Sequence, residues 1–219
     1  MNRARSDPAI AFSGRALDCM RGDRWVFSGL EFALGAGDVL VLSGPNGSGK
    51  SSLLRIMAGL LAPVSGAVQW HGADIADDRD AHAARLHYVG HLDAVKLALT
   101  VAENLRFWAA LRGERDGIDR ALDEFGLAPL ADLPARFLSA GQRRRLALAR
   151  IAASAAPLWL LDEPTVALDG EGVAAVHAAI RAHCAGGGCC VVSTNTALDL
   201  AGAAALDVGR YAAGPAVRP

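Results

Sequence analysis

The sequence predicts an α/β fold built on a parallel sheet. Three observations carry this: apolar runs of strand length alternate with helical patterns, two of those runs are apolar without interruption, and a glycine-rich loop separates one of them from a helix. The chain has 219 residues, 52% of them hydrophobic and 21% charged, which is enough for one domain with a substantial core and excludes disordered and fibrous classes. Its net charge of −1 gives no global attraction to nucleic acid or to an acidic membrane surface, so no nucleic-acid partner is expected.

The first strand-like run is Leu30-Glu31-Phe32-Ala33-Leu34, which alternates until Gly35-Ala36-Gly37 forces a turn. Val39-Leu40-Val41-Leu42 follows, apolar throughout, as a strand covered on both faces should be. A helix is expected over 51–58 and a short strand over 66–70, with another strand over 86–90. Between about 97 and 137 the pattern is mostly helical, with Thr100 as a predicted N-cap for one helix and Asp119 for a second. A long helix is predicted over 140–155, a buried strand at Leu158-Trp159-Leu160-Leu161, a helix over 172–185 and a strand over 189–193. The Ala- and Gly-rich tail from Gly202 carries no clear pattern. Cys19, Cys184, Cys189 and Cys190 lack the spacing of zinc ligands or of a disulfide framework and read as buried thiols. The opening MNRARSDPAIAF has no secretory apolar segment and no run reaches the roughly 20 residues of a membrane span, which predicts a cytoplasmic location.

The chemistry is concentrated in two places. Gly44-Pro45-Asn46-Gly47-Ser48-Gly49-Lys50-Ser51 fits G-x-x-x-x-G-K-[ST] between a buried strand and a helix, the setting in which that pattern cradles phosphates. Glycines let backbone N–H groups close around the anion, and the helix that follows turns its positive end toward it. Lys50, one of only two lysines in the chain, would bridge the terminal phosphates, and Ser51 would offer its hydroxyl to Mg²⁺; Ser52 completes the candidate nucleotide-binding set. The second place is Asp162-Glu163, two carboxylates at the end of four apolar residues. Asp162 would face the metal, and Glu163 would polarise an attacking water beside the terminal phosphate.

Leu138-Ser139-Ala140-Gly141-Gln142, followed by Arg143-Arg144-Arg145-Leu146-Ala147-Leu148-Ala149-Arg150, resembles the signature of the ATP-binding cassette (ABC) family, a P-loop NTPase family, and the resemblance covers nearly the whole chain. It implies an ABC-type nucleotide-binding domain with a parallel-sheet core, an antiparallel β subdomain and an inserted helical lobe: one domain over 1–219, its core lobe at 1–96 and 138–219 and its helical lobe at 97–137. It also implies ATP and Mg²⁺ as cofactors, a second copy of the chain paired head to tail, and integral membrane subunits as partners at the inner face of the plasma membrane. Ser139, Gly141 and Gln142 would then serve the partner copy's nucleotide, and Asp169 in Ala167-Leu168-Asp169 would cross the seam. Val89-Gly90-His91, the run from Thr100 to Phe107, and Gly72 after Gln69-Trp70 are similar to the cassette subunits of cytochrome c maturation haem exporters, which implies an ATPase that powers haem handling.

Three positions depart from the wider family's pattern. The metal-ligating glutamine falls at His91, whose imidazole is a different ligand. The switch histidine is replaced by Asn195, which can hold a hydrogen bond but carries no titrating proton, leaving open slow hydrolysis, a nucleotide-gated assembly role, or hydrolysis in which Glu163 supplies most of the assistance and Asn195 keeps the positioning hydrogen bond. The aromatic residue on which adenine stacks is replaced by Arg21, whose guanidinium plane can stack instead, with Trp25 as the nearby aromatic alternative.

Overall fold

The computed structural model describes residues 10–195 and 200–212. The chain runs β1 (Ile10–Arg21), β2 (Arg24–Gly35), β3 (Val39–Ser43), α1 (Lys50–Met57), β4 (Ser65–Trp70), β5 (Ala73–Asp74), α2 (Arg79–Ala84), β6 (Leu86–Val89), α3 (Val101–Ala110), α4 (Ile118–Glu124), α5 (Ala140–Ala153), β7 (Leu158–Asp162), α6 (Gly170–Ala185), β8 (Cys189–Ser193) and β9 (Ala204–Asp207). Strands β6-β7-β8-β3-β9 form one sheet in that order, and every neighbouring pair in it is parallel. Strands β2-β1-β4-β5 form a second, antiparallel sheet.

The parallel sheet separates two apolar clusters, and β7 shows why. Successive side chains of a strand point to opposite faces. Leu158 and Leu160 pack with α1 and the inner residues of β1 and β2, whereas Trp159 and Leu161 pack with residues of α3, α4, α5 and α6. All five residues of β7 are buried. Each such leucine contributes roughly 1.5–3 kcal/mol on leaving water, so the strand that ends in Asp162 is held on both sides. The adjacent pair Cys189-Cys190 lies in buried β8 as expected, and all four cysteines are free.

The sequence reading missed β1 and the first half of β2. These strands meet along Asp18, whose buried carboxylate accepts from Ser28 Oγ (2.6 Å), Gly29 N (2.8 Å) and Ser65 Oγ (2.8 Å) and so ties β1 to β2 and β4. The tail is also more ordered than its composition suggests: β9 pairs with β3, and a short 3₁₀ turn over Val208–Tyr211 follows with Val208 fully buried.

In the helical segment, Thr100 caps α3 in a reciprocal arrangement. Glu103 N donates to Thr100 Oγ1 (3.1 Å) and Thr100 N donates to Glu103 Oε2 (2.8 Å). Asp119 is not the cap of α4. That helix begins at Ile118 behind Gly117, whose Cα lies so close to α5 that a Cβ there would stand 2.5 Å from Ala153 O; Asp119 falls in the first turn, where its charge suits the helix dipole. Among the described residues, no helix is long and apolar enough to cross a membrane.

His87 on β6 sets a pH limit on this packing. Burial pushes its pKa from 6.5 down to about 4; its hydrogen bond with Ser154 O opposes that shift, while the charges of Arg112 and Arg150 add to it. An unfolded chain binds this proton below its ordinary pKa and the folded chain does not until about 4, so folding stability falls as pH drops through that window. His82 and His183 are depressed in the same direction and share the effect. Urea midpoints measured at about pH 7 and about pH 5 should therefore differ less in His87→Gln, which keeps a donor toward Ser154 O, than in the wild type.

Candidate functional site

The C-terminal ends of the parallel strands assemble the site, because an open parallel sheet leaves its concave crevice there. Ser43 at the end of β3 pairs with Asp207 of β9, and Asp162 at the end of β7 pairs with Ser193 of β8. The loop 44–49 leaves β3 and enters α1. Gly49 has φ +105°, and a Cβ there would stand 2.5 Å from Val26 Cγ1; Gly44 has φ +126° and would crowd Ser48 Oγ and Gly209 N at 3.0 and 3.1 Å. Only glycine fits a loop wrapped this closely against β2 and the tail.

A cleft of about 560 Å³ lies over this loop. Pro45 to Ser52 form its floor and Glu163 and Asn195 one wall; Arg21 and Trp25 line it together, so the structure brings both adenine-side candidates to the same place. Arg24, Val26, Gly209 and Ala212 line it as well, and the sequence reading missed all four. Their signal was weak: Arg24 and Val26 belong to the unrecognised part of β2, and Gly209 and Ala212 to the tail.

Lys50 is buried, and its Nζ donates to Gly44 O (2.8 Å), Pro45 O (3.4 Å) and Asn195 Oδ1 (2.8 Å). Asn195 Nδ2 donates to Glu163 Oε1 (2.6 Å), and Asn195 N donates to Glu163 Oε2 (3.2 Å). One amide therefore joins the ammonium to the carboxylate, its oxygen toward the cation and its nitrogen toward the anion. Glu163 itself sits at φ +48°, a left-handed conformation that costs a non-glycine residue roughly 1–2 kcal/mol. Ser193 holds it there from one side, since Glu163 N donates to Ser193 O and to Ser193 Oγ, both at 3.1 Å.

Asp162 is 1% exposed. Its Oδ1 accepts from Ser193 Oγ (2.6 Å) and Ser51 Oγ (3.1 Å), and its Oδ2 is buried with no hydrogen-bond partner among the described residues. An unpartnered carboxylate oxygen away from water is costly unless a cation meets it. The Ser51 hydroxyl and the Asp162 carboxylate thus form a hard-oxygen donor set that fits Mg²⁺.

The other residues singled out in the sequence lie elsewhere. Ser139, Gly141, Gln142 and Asp169 line a separate concavity of about 350 Å³ together with Gly126, Leu130, Arg145 and Ala167, none of which borders the Lys50 cleft. Ser139 caps α5: its Oγ accepts from Gln142 N (3.1 Å), and Gln142 Oε1 accepts from Ser139 N (2.9 Å), so the Gln142 amide oxygen is spent on the cap while its Nε2 and the Ser139 hydroxyl proton are left to donate. The Asp169 carboxylate accepts from Gly172 N (2.9 Å) and pairs with the Arg145 guanidinium within the chain; the Gly172 N–H first and Arg145 second hold its pKa below the usual carboxylate range. His91 is exposed on the loop after β6 and does not line the cleft.

The arrangement joins a glycine-rich loop and a buried lysine to a buried carboxylate and a second carboxylate lining the same cleft, a set able to take up phosphates and a divalent cation. Replacing Lys50 with alanine removes a cation held over loop 44–49 by three oxygen acceptors, so Lys50→Ala is expected to weaken ATP binding by tenfold or more, on the order of 1.4 kcal/mol, in a fluorescent-nucleotide titration.

The chain is similar to known proteins in sequence and in fold. The model of the family described as "ABC transporter" matches residues 27–166, more than half of the chain. The protein named "Cytochrome c biogenesis ATP-binding export protein CcmA" from Paramagnetospirillum magneticum is 54% identical over 206 residues, covering 92% of this chain and 95% of its own. The protein of the same name from Rhodospirillum rubrum is 53% identical over 209 residues, covering 95% of this chain and 89% of its own. In fold, a solved putative ABC transporter ATP-binding protein from Pyrococcus furiosus superposes with a TM-score of 0.81 at 24% identity, over 92% of this chain and 99% of that one.

Proposed function

The chain belongs to the ABC transporter family, and from that premise we propose that it is the ATP-hydrolysing subunit of a membrane complex that powers export in cytochrome c biogenesis, with haem as the cargo class. The observation that carries the hydrolytic reading is the bridge Lys50–Asn195–Glu163 across a cleft floored by a phosphate loop. It brings the cation for the terminal phosphate and the base for water to opposite ends of one amide.

Each residue then has a task. The N–H groups of loop 44–49 and Lys50 bind the phosphates, Arg21 and Trp25 flank the base, and Ser51 and Asp162 hold Mg²⁺, which neutralises charge on the phosphates when bound. Glu163 takes the proton of the attacking water, and Asn195 orients that carboxylate, which favours turnover over a purely nucleotide-gated role. The concavity at Ser139 and Gly141 shares no residue with the Lys50 cleft, which supports a head-to-tail dimer in which each nucleotide lies between the cleft of one copy and the signature of the other. We place the core lobe at 1–96 and 138–219 and the helical lobe at 97–137.

The membrane subunits dock on the loop that leaves β6. Leu92 is 82% exposed and Leu97 49%, apolar side chains that a polar surface loop does not need. Beside them β6, α3 and α5 border a groove of about 550 Å³ that includes Tyr88, Trp108 and Leu111. The chain sits peripherally on the cytoplasmic face in this reading.

Two experiments test these assignments. Glu163→Gln should bind ATP within about twofold of wild type yet turn over at least ~10²-fold more slowly, with an ATP-dependent dimer accumulating on gel filtration; normal phosphate release would remove Glu163 from the mechanism. Leu92→Asp, with its circular dichroism unchanged, should lose most of the co-purified membrane subunits, and full recovery of them would move the docking face elsewhere.

A further inference from the structure

The helix that begins with Ser139 carries, a turn and a half in, an arginine whose environment the function above does not use. Arg144 is 5% exposed. Its Nη2 donates to Asp162 O (2.7 Å) and Glu163 O (2.9 Å); its Nη1 donates to Gly90 O (2.9 Å) and pairs with Asp93 Oδ1 (3.2 Å). One guanidinium therefore joins three segments that are far apart in sequence: the signature helix α5, the loop after β6 and the end of β7.

The acceptors matter more than their number. Glu163 is the left-handed residue of the site, and a residue in that conformation persists only where its surroundings over-determine it. Its N–H is fixed by Ser193, and its carbonyl is fixed by Arg144. Both peptide groups flanking the Glu163 Cα are thus held, and the direction in which the carboxylate leaves the backbone is set by the pair. A planar fork can serve two carbonyls on one nitrogen and a carbonyl plus a carboxylate on the other, whereas a lysine ammonium on a flexible stem has no such geometry.

We propose that Arg144 is a positioning residue for hydrolysis: it fixes the backbone of Glu163 and couples that backbone to the loop 90–93 and to the signature helix. Its placement gives this coupling two inputs. Ser139 and Gly141, at the start of the helix that bears Arg144, face the separate concavity, and Gly90 and Asp93 flank His91 and Leu92 on the proposed docking loop. Closure on a nucleotide at one end, or seating of a membrane subunit at the other, reaches Glu163 through the same side chain. The inference rests on Glu163 being the carboxylate that serves the attacking water.

The test uses the full chain co-purified with its membrane subunits, measuring phosphate release and ATP affinity separately. Arg144→Lys is expected to lower kcat by tenfold or more while ATP affinity stays within about twofold, because the fork acts on Glu163 and not on the phosphate loop. Asp93→Asn, which weakens one arm of the fork at a half-buried position, should lower kcat by about two- to threefold, again with ATP affinity kept. Wild-type kcat in Arg144→Lys overturns the proposal, as does a loss of ATP affinity equal to the loss of kcat. If Arg144→Lys does not fold, Asp93→Asn decides, and an unchanged kcat there overturns it. Glu163→Gln separates the two levels: if that variant is inactive and Arg144→Lys is normal, only the inference fails, whereas normal turnover in Glu163→Gln removes the reading on which it stands.

Discussion

A single carboxylate that cannot reach water organises this molecule. Asp162 ends a strand flanked on one edge by β6 and on the other by β8, with leucine and tryptophan side chains filling both faces behind it. A strand so enclosed cannot relax outward, so the charge at its tip must be met where it stands. Two hydroxyls, from α1 and from β8, meet one of its oxygens, and the other has no donor among the described residues. The apolar core thereby leaves a confined negative charge at the C-terminal end of the parallel sheet: the better the packing behind Asp162, the less freedom the carboxylate has to be solvated by anything but an ion. The phosphate loop sits beside it because β3 lies next to β8 in the same sheet.

Parts of the molecule whose physical constraint is local in sequence could be read from the sequence. Loop 44–49 and β7 announce themselves because a fully covered strand must be apolar at every position and because a phosphate cradle needs glycine at fixed offsets. Strand β1 could not be read. Its register against β2 shifts four times between Ile10 and Met20, so its inner residues Phe12, Leu17 and Cys19 do not keep a period of two, and its buried Asp18 looks like a surface residue until Ser28, Gly29 and Ser65 are seen around it. Strand β9 offers two exposed alanines and takes its order from pairing with β3. The reading of Asp119 as a cap failed because the approach of Gly117 to the end of α5, a tertiary constraint, fixes where α4 begins.

Arg144 lies between these cases. Three arginines follow the signature in succession, and consecutive helical residues are about 100° apart and cannot share a face. Arg144, Leu148 and Ile151 follow the i, i+4, i+7 spacing of a buried stripe, and Arg144 is the member that carries charge. A cation at the head of an apolar stripe has to be answered by acceptors, and here three of the four are main-chain carbonyls at the C-terminal ends of β6 and β7.

Asn195 then shows how much of a switch residue's work is steric and how much is protonic. An amide presents an acceptor and a donor at opposite corners, and it satisfies Lys50 with the first and Glu163 with the second. A neutral imidazole could make the same two contacts, but protonation would turn its acceptor into a donor facing the Lys50 ammonium, and the bridge would break. With asparagine the polarity of the bridge is fixed at every pH. The histidines that burial keeps neutral, with His87 the most depressed of them, lie on other elements and act on the stability of the fold. Asparagine therefore gives up titration and retains orientation, and orientation is what a carboxylate in a left-handed turn requires from its neighbours.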